Sequence, residues 1–85
     1  MREGLKDVDW VPLESKLLTA VAFAAEAQIL YLRFHSGDVY CYLDFPPELY
    51  RDFFGAESKG RFFLREIRNQ FRYERLARLA VANMK

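Results

Sequence analysis

Arginine recurs at positions 61, 65, 68, 72 and 75, at steps of four, three, four and three. On one unbroken helix those steps make a single ridge of guanidinium groups. Guanidinium suits a two-pronged grip on phosphate. The chemistry implied is capture of a polyanion, RNA foremost, through Arg61, Arg65, Arg68 and Arg72. A second group lies upstream, with Tyr31 and Arg33 followed by Tyr40 and Tyr42. Spacing of two places each pair on one side of a strand. Rings and a guanidinium on a shared face form a platform for unpaired bases, each stack worth about 1–3 kcal/mol. The same rings equally suit the underside of a helix, with their hydroxyls bonded to backbone or to arginine. A third stretch, Ser58-Lys59-Gly60-Arg61, opens a helix. Free N–H groups, a bare glycine backbone and a lysine make an anion site at Ser58 and Gly60. A plain N-cap explains that serine as well.

Catalytic and metal chemistry finds little material. His35 and Cys41 are the sole histidine and cysteine. His35 falls in a turn and Cys41 on an expected core face, which does not make a nucleophile and its base. One histidine, one cysteine and scattered carboxylates are too few for a zinc-type site. The expectation is a non-catalytic protein without cofactor or metal.

The elements that must position these groups follow from periodicity. LLTAVAFA, from Leu17, reads as a strand, Ala25–Ala27 as a turn, and QILYLRF (Gln28–Phe34) as a second strand. HSGD (His35–Asp38) is a hairpin signal, since Gly37 can take a positive φ. VYCYLDF (Val39–Phe45) is the third strand. With the turn centred on Ser36-Gly37, Phe34 faces Val39, Leu32 faces Cys41 and Leu30 faces Leu43. Those six make the expected core face, leaving Tyr31, Arg33, Tyr40 and Tyr42 on the other. Pro46-Pro47 starts a helix, favoured by Glu48, and Gly55 is placed just past its end. Ser58 caps a second helix with Phe63, Ile67 and Phe71 at spacings of four. ERLARLAVANMK continues it or forms a third helix. The fold class expected is α+β, a three-stranded antiparallel meander followed by two or three helices. Residues 1–12 are an arm from which Trp10 and Val11 tuck onto the body, and residues 74–85 are a helical extension.

Bulk properties narrow the class further. Eighty-five residues, 52% of them hydrophobic, make one globular domain. The longest apolar run, about nine residues, is too short to cross a membrane. Arg2, Glu3, Lys6, Asp7 and Asp9 break any leader pattern, and one cysteine allows no internal disulfide. The placement expected is cytoplasmic. Residues 1–58 carry five basic side chains against ten acidic, whereas residues 59–85 carry eight against two. The net charge of +1 therefore conceals balances of −5 and +6. Such a division fits a polyanion partner, or two halves that attract each other.

Taken in order, these residues resemble the KTSC domain, a short bacterial module found alone and at the C-terminus of some lysyl-tRNA synthetases. The family pattern of Tyr-x-Tyr after a turn glycine is met by Gly37, Tyr40 and Tyr42. Its later pattern is met by Pro47, Tyr50, Ala56, Ser58, Gly60, Phe62, Phe63, Ile67 and Arg68. The resemblance spans roughly residues 13–73. Ser15-Lys16 replaces a Ser-Ser, Phe23 a tyrosine and Leu64 a common asparagine. The resemblance implies RNA binding by association with a tRNA-charging enzyme. The expected function is an RNA-binding module using Arg61, Arg65, Arg68 and Arg72, with Lys59, Arg33, Tyr40 and Tyr42. The competing reading is a protein-interaction module or homodimer built on the tail LARLAVANM.

Overall fold

One hairpin turn decides which way the central strands face. Gly37 takes a φ of 99°, and its N–H donates to the Phe34 carbonyl at 2.9 Å. The loop therefore holds three residues, His35 to Gly37, with glycine in the left-handed position that this turn type requires. A two-residue centre would have paired Phe34 with Val39. The observed pairs are instead Arg33 with Val39, Leu32 with Tyr40, Tyr31 with Cys41 and Leu30 with Tyr42. A slip of one residue sends every side chain to the opposite face. Leu30, Leu32, Tyr40 and Tyr42 thus share the core side, while Tyr31, Arg33, Val39 and Cys41 share the other. The expected core face and tyrosine face are both corrected by this shift.

The structure, a computed structural model, describes residues 8–78. Its elements run β1 (Val11–Pro12), β2 (Leu18–Ala24), β3 (Ile29–Phe34), β4 (Asp38–Tyr42), α1 (Pro47–Gly55), α2 (Lys59–Phe62), a π-helical turn (Phe63–Ile67) and β5 (Tyr73–Arg78). The five strands form one antiparallel sheet in the order β1-β2-β3-β4-β5. The α+β class holds, but the sheet is wider than the three strands expected. β1 is too short to show periodicity. β5 lies where a helix was expected, because β4 offers an open edge that outweighs the helix propensity of Glu74, Arg75 and Leu76. The rest of the expected C-terminal helix, residues 79–85, falls outside the described residues.

The helices cross between β4 and β5 and bury Phe53, Phe63 and Ile67 against Leu18, Val21, Leu30, Leu32 and Phe45. Pro46 caps α1 in extended geometry, with Pro47 and Glu48 in the first turn as their chemistry favours. Gly55 ends inside α1 rather than beyond it. The turn of direction falls on Ala56, at φ −70° and ψ 143°, whose N–H donates to Phe53 O at 3.1 Å. Ser58 caps α2, its Oγ accepting from the Arg61 N–H at 3.2 Å. In the π-turn, Arg68 N–H reaches back five residues to Phe63 O at 2.9 Å. Phe63 and Ile67, four residues apart, both reach the core, and the helical run stops there.

The single arginine ridge is therefore not formed. Arg61 lies on α2, Arg65 on the π-turn and Arg68 at its end. Arg72 falls in the connection and Arg75 in β5.

Candidate functional site

The helices do not cover the whole core side of the sheet. Where the π-turn ends, a cleft of about 320 Å³ opens between Arg68-Asn69 and strands β4 and β5. Pairing positions its wall, because Tyr42 stands opposite Tyr73 in the β4–β5 ladder. Tyr40 is two residues before Tyr42 on the same side. The Tyr40 and Tyr42 rings lie 22° from parallel with centroids 6.4 Å apart. Tyr73 closes the triangle at 5.6 Å from Tyr40 and 5.9 Å from Tyr42. Phe34 and Phe63 back the wall edge-on, at 5.7 Å from Tyr40 and 5.8 Å from Tyr42. Access is graded, for Tyr42 is 3% exposed and Tyr73 is 57% exposed.

The cleft is polar at its edge. Ser36 and Asp38 line it from the hairpin side. Ser36 Oγ donates to Asp38 Oδ2 at 3.2 Å and accepts from the Asp38 N–H at 3.4 Å. Burial pushes the Tyr42 phenol well above its ordinary pKa. The neighbouring Tyr40, Tyr73 and Cys41 add to that rise, and the positive charge of Arg68 opposes it. Among the described residues Arg68 makes no ion pair, so its guanidinium stays available to a ligand.

The other predicted residues scatter. Arg33 lies on the opposite side of the sheet, its Cζ 4.5 Å from the centre of the Trp10 ring. Trp10 also meets Tyr31 edge-on at 6.4 Å, so Trp10 packs onto the body as the sequence suggests. Among the described residues the buried Arg33 Nε has no hydrogen-bond partner. Lys59 donates through Nζ to Ala56 O at 3.0 Å and lies over the Phe54 ring. Arg65 pairs with its neighbour Glu66 at 3.4 Å, both largely exposed. Such a pair contributes little. Arg72 is exposed, and its carbonyl accepts from Leu43 N–H at 2.9 Å.

Ser58 and Gly60 border a second hollow, of about 540 Å³, with Arg61, Lys59, Ser15 and the acidic Glu14 and Glu57. Ser58 is occupied as a cap there. A Cβ on Gly60 would sit 3.5 Å from both Leu17 Cβ and Ser15 Oγ. That is ordinary van der Waals contact, so α2 packs beside the Ser15 turn, whose Oγ accepts from the Leu17 and Leu18 amides, without requiring glycine there.

His35 Nε2 lies 2.8 Å from Ser15 O. Cys41 is buried, and burial first, then the charge of Glu74, raise its pKa against a backbone hydrogen bond from Glu74 that lowers it. The thiol therefore stays protonated at neutral pH. Among the described residues, no three histidine, cysteine or acidic groups gather closely enough to hold a metal. No helix among them is long and apolar enough to cross a membrane.

Tyr40, Tyr42 and Arg68 are the predicted residues that this site brings together. Tyr73, Asp38, Ser36 and Asn69 were missed. Alternation of Tyr73 with Arg75 was the available signal for β5, hidden by reading the segment as a helix.

Comparison with known proteins places this architecture in a class. The KTSC domain model matches residues 14–71. A crystal structure of a KTSC domain protein from Yersinia pestis superposes with a TM-score of 0.80 at 26% identity, covering 82% of this chain and 99% of that one. The chain belongs to the KTSC domain family. A protein from Tsukamurella paurometabola is 41% identical over 72% of this chain and 91% of its own length. A lysine–tRNA ligase from Nostoc punctiforme is 33% identical over 87% of this chain, which corresponds to 14% of the ligase. Of the residues that carried the resemblance, Tyr40, Tyr42, Phe63 and Arg68 converge on the cleft, while Ser58 caps α2.

Proposed function

We propose that this protein is a non-catalytic RNA-binding module that takes single-stranded RNA in the tyrosine cleft. The observation that carries the reading is the wall formed by Tyr40, Tyr42 and Tyr73 beside Arg68, which makes no ion pair among the described residues. Exposed ring faces accept any base by stacking, and a guanidinium beside them grips the phosphate that follows. Arg75 pairs with Tyr40 in the ladder and so shares its side of the sheet. Arg72 and Arg75 extend the positive track away from the cleft, and Arg61 and Arg65 add to the field without entering it. Occurrence of a related segment in lysine–tRNA ligases, enzymes named for an RNA, supports the reading. A cytoplasmic location fits it.

Fluorescence anisotropy with single-stranded RNA, tRNA and duplex DNA across a salt series tests this. Contact of Arg68, Arg72 and Arg75 with one phosphate each gives a log–log salt slope of about −2. Single strands should bind better than duplex, and Arg68→Glu should abolish binding. No retention of any nucleic acid at low salt overturns the reading. A second reading, self-association or protein binding, draws on β5, one of the two outer strands among the described residues, where Leu76 is 40% exposed. Outer strands can accept a further strand. Loss of an oligomer on truncation after Arg72, without RNA binding in the intact chain, favours it.

A further inference from the structure

The floor of the cleft holds a polar group that the fold leaves unused. Tyr42 is 3% exposed and lines the cleft, yet its hydroxyl makes no hydrogen bond among the described residues. The great majority of buried hydroxyls are bonded, because an unmet donor is costly. Burial keeps this phenol protonated well past neutral pH, so it offers an O–H to a ligand. Arg68 lines the same cleft and its charge acts on the same phenol. A guanidinium only donates. Arg72 belongs to this end too, since its carbonyl accepts from the N–H of Leu43, the residue after Tyr42. A neutral carbonyl would satisfy the phenol alone, whereas an oxyanion satisfies phenol and guanidinium together. The Asp38 carboxylate is engaged elsewhere, bonded to Ser36 and opposite Arg78 in the ladder. It stands four residues before Tyr42, about 13 Å away along the strand, beyond a screening length of about 8 Å.

Resting on the RNA reading above, we infer that the cleft anchors the end of an RNA strand by its terminal phosphate monoester. An internal phosphate is a diester with one charge and a ribose on each side, which keeps its oxygens from a hydroxyl as deep as that of Tyr42. A terminal monoester has three unesterified oxygens, a charge of about −1.5 to −2 at pH 7, and one free side. In the assigned arrangement one oxygen accepts from the Tyr42 O–H and another from Arg68. The base of the same nucleotide stacks on Tyr73, the exposed ring of the wall. Arg72 and Arg75 receive the diesters that follow. The volume of about 320 Å³ is at the small end of ligand clefts and suits one terminal nucleotide better than a run of them.

The test is anisotropy of the full chain with one uridine oligonucleotide made in three forms, with hydroxyls at both ends, a 5′-phosphate or a 3′-phosphate. One phosphorylated form should bind about 10- to 100-fold more tightly than the hydroxyl form, the range for hydrogen bonds to a charged group. Methyl esterification turns that phosphate into a diester and should remove most of the gain. Tyr42→Phe keeps the ring, loses only the hydroxyl, and should also remove most of it. Equal binding of the three forms overturns strand-end recognition. So does a gain that persists with the methyl ester or in Tyr42→Phe, which would be the general attraction of added charge. In both cases binding of the hydroxyl form leaves the RNA reading standing. Uridine monophosphate binding as tightly as the phosphorylated oligonucleotide would assign the cleft to free nucleotides and overturn the inference as well. Failure of every oligonucleotide to bind overturns both readings. The methyl ester comparison uses the unaltered chain, so the inference stays testable if Tyr42→Phe does not fold.

Discussion

The two sides of this sheet hold the same ingredients and use them in opposite ways. On one, Tyr31, Arg33 and Trp10 close on each other, with the Arg33 guanidinium capped by the indole at 4.5 Å. On the other, Tyr40, Tyr42, Tyr73 and Arg68 stand around a cleft that nothing among the described residues fills. Aromatic rings with a guanidinium do not make a binding site by composition. They make one when the elements around them leave a ring face and a charge unsatisfied. Here the described elements leave the cleft open, whereas Trp10 packs over the far side.

The harshest way to break the contrast is to remove the support beneath the open side. Phe63 is 4% exposed and packs against both Phe34 and Tyr42. Phe63→Ala should destabilise the fold by about 3–5 kcal/mol in denaturant unfolding and abolish RNA binding with it. Alkaline pH attacks the same place. The Tyr42 phenol has a raised pKa in the folded state, so above about pH 10 the unfolded chain gives up a proton that the folded one retains. Stability should therefore be complete below that value and fall as pH rises. Tyr42→Phe should flatten the fall in unfolding midpoints measured across that range.

Two milder substitutions sharpen the comparison directly. Tyr73→Ala should weaken single-stranded RNA binding by about 1–3 kcal/mol, while thermal unfolding shows a loss of no more than about 1 kcal/mol. Trp10→Ala should do the reverse, lowering stability by about 0.5–2 kcal/mol through the lost cation–π contact and leaving RNA affinity as it was. Equal losses of binding from both would mean that the two sides are not functionally distinct. The smallest effect belongs to neither side. A Cβ on Gly55 meets nothing within 4 Å, so Gly55→Ala should stabilise α1 by about 0.5–1 kcal/mol without altering binding.

Much of this was legible locally. The helix start at Pro47, the Ser58 cap and the strand character of β2, β3 and β4 follow from residues that act within a turn or two of themselves. Family membership was readable from the order of Gly37, Tyr40, Tyr42, Ser58, Gly60 and Phe63. The positive charge of the C-terminal third was readable too, and Arg68 was among the residues singled out. The site as a whole was not. Tyr73 was lost because Glu74, Arg75 and Leu76 are good helix formers, and only the vacant edge of β4 makes them a strand.

The amino-acid order alone determined the strands β2 to β4, the starts of α1 and α2, and that a surplus of arginine follows residue 58, because those properties depend on neighbours along the chain. Which side of β4 its tyrosines take was decided by one residue more or less in the Gly37 turn, and what they meet there by strands distant in sequence. A pleated strand offers its two sides on nearly equal terms, and only the partners that fold over them tell one from the other.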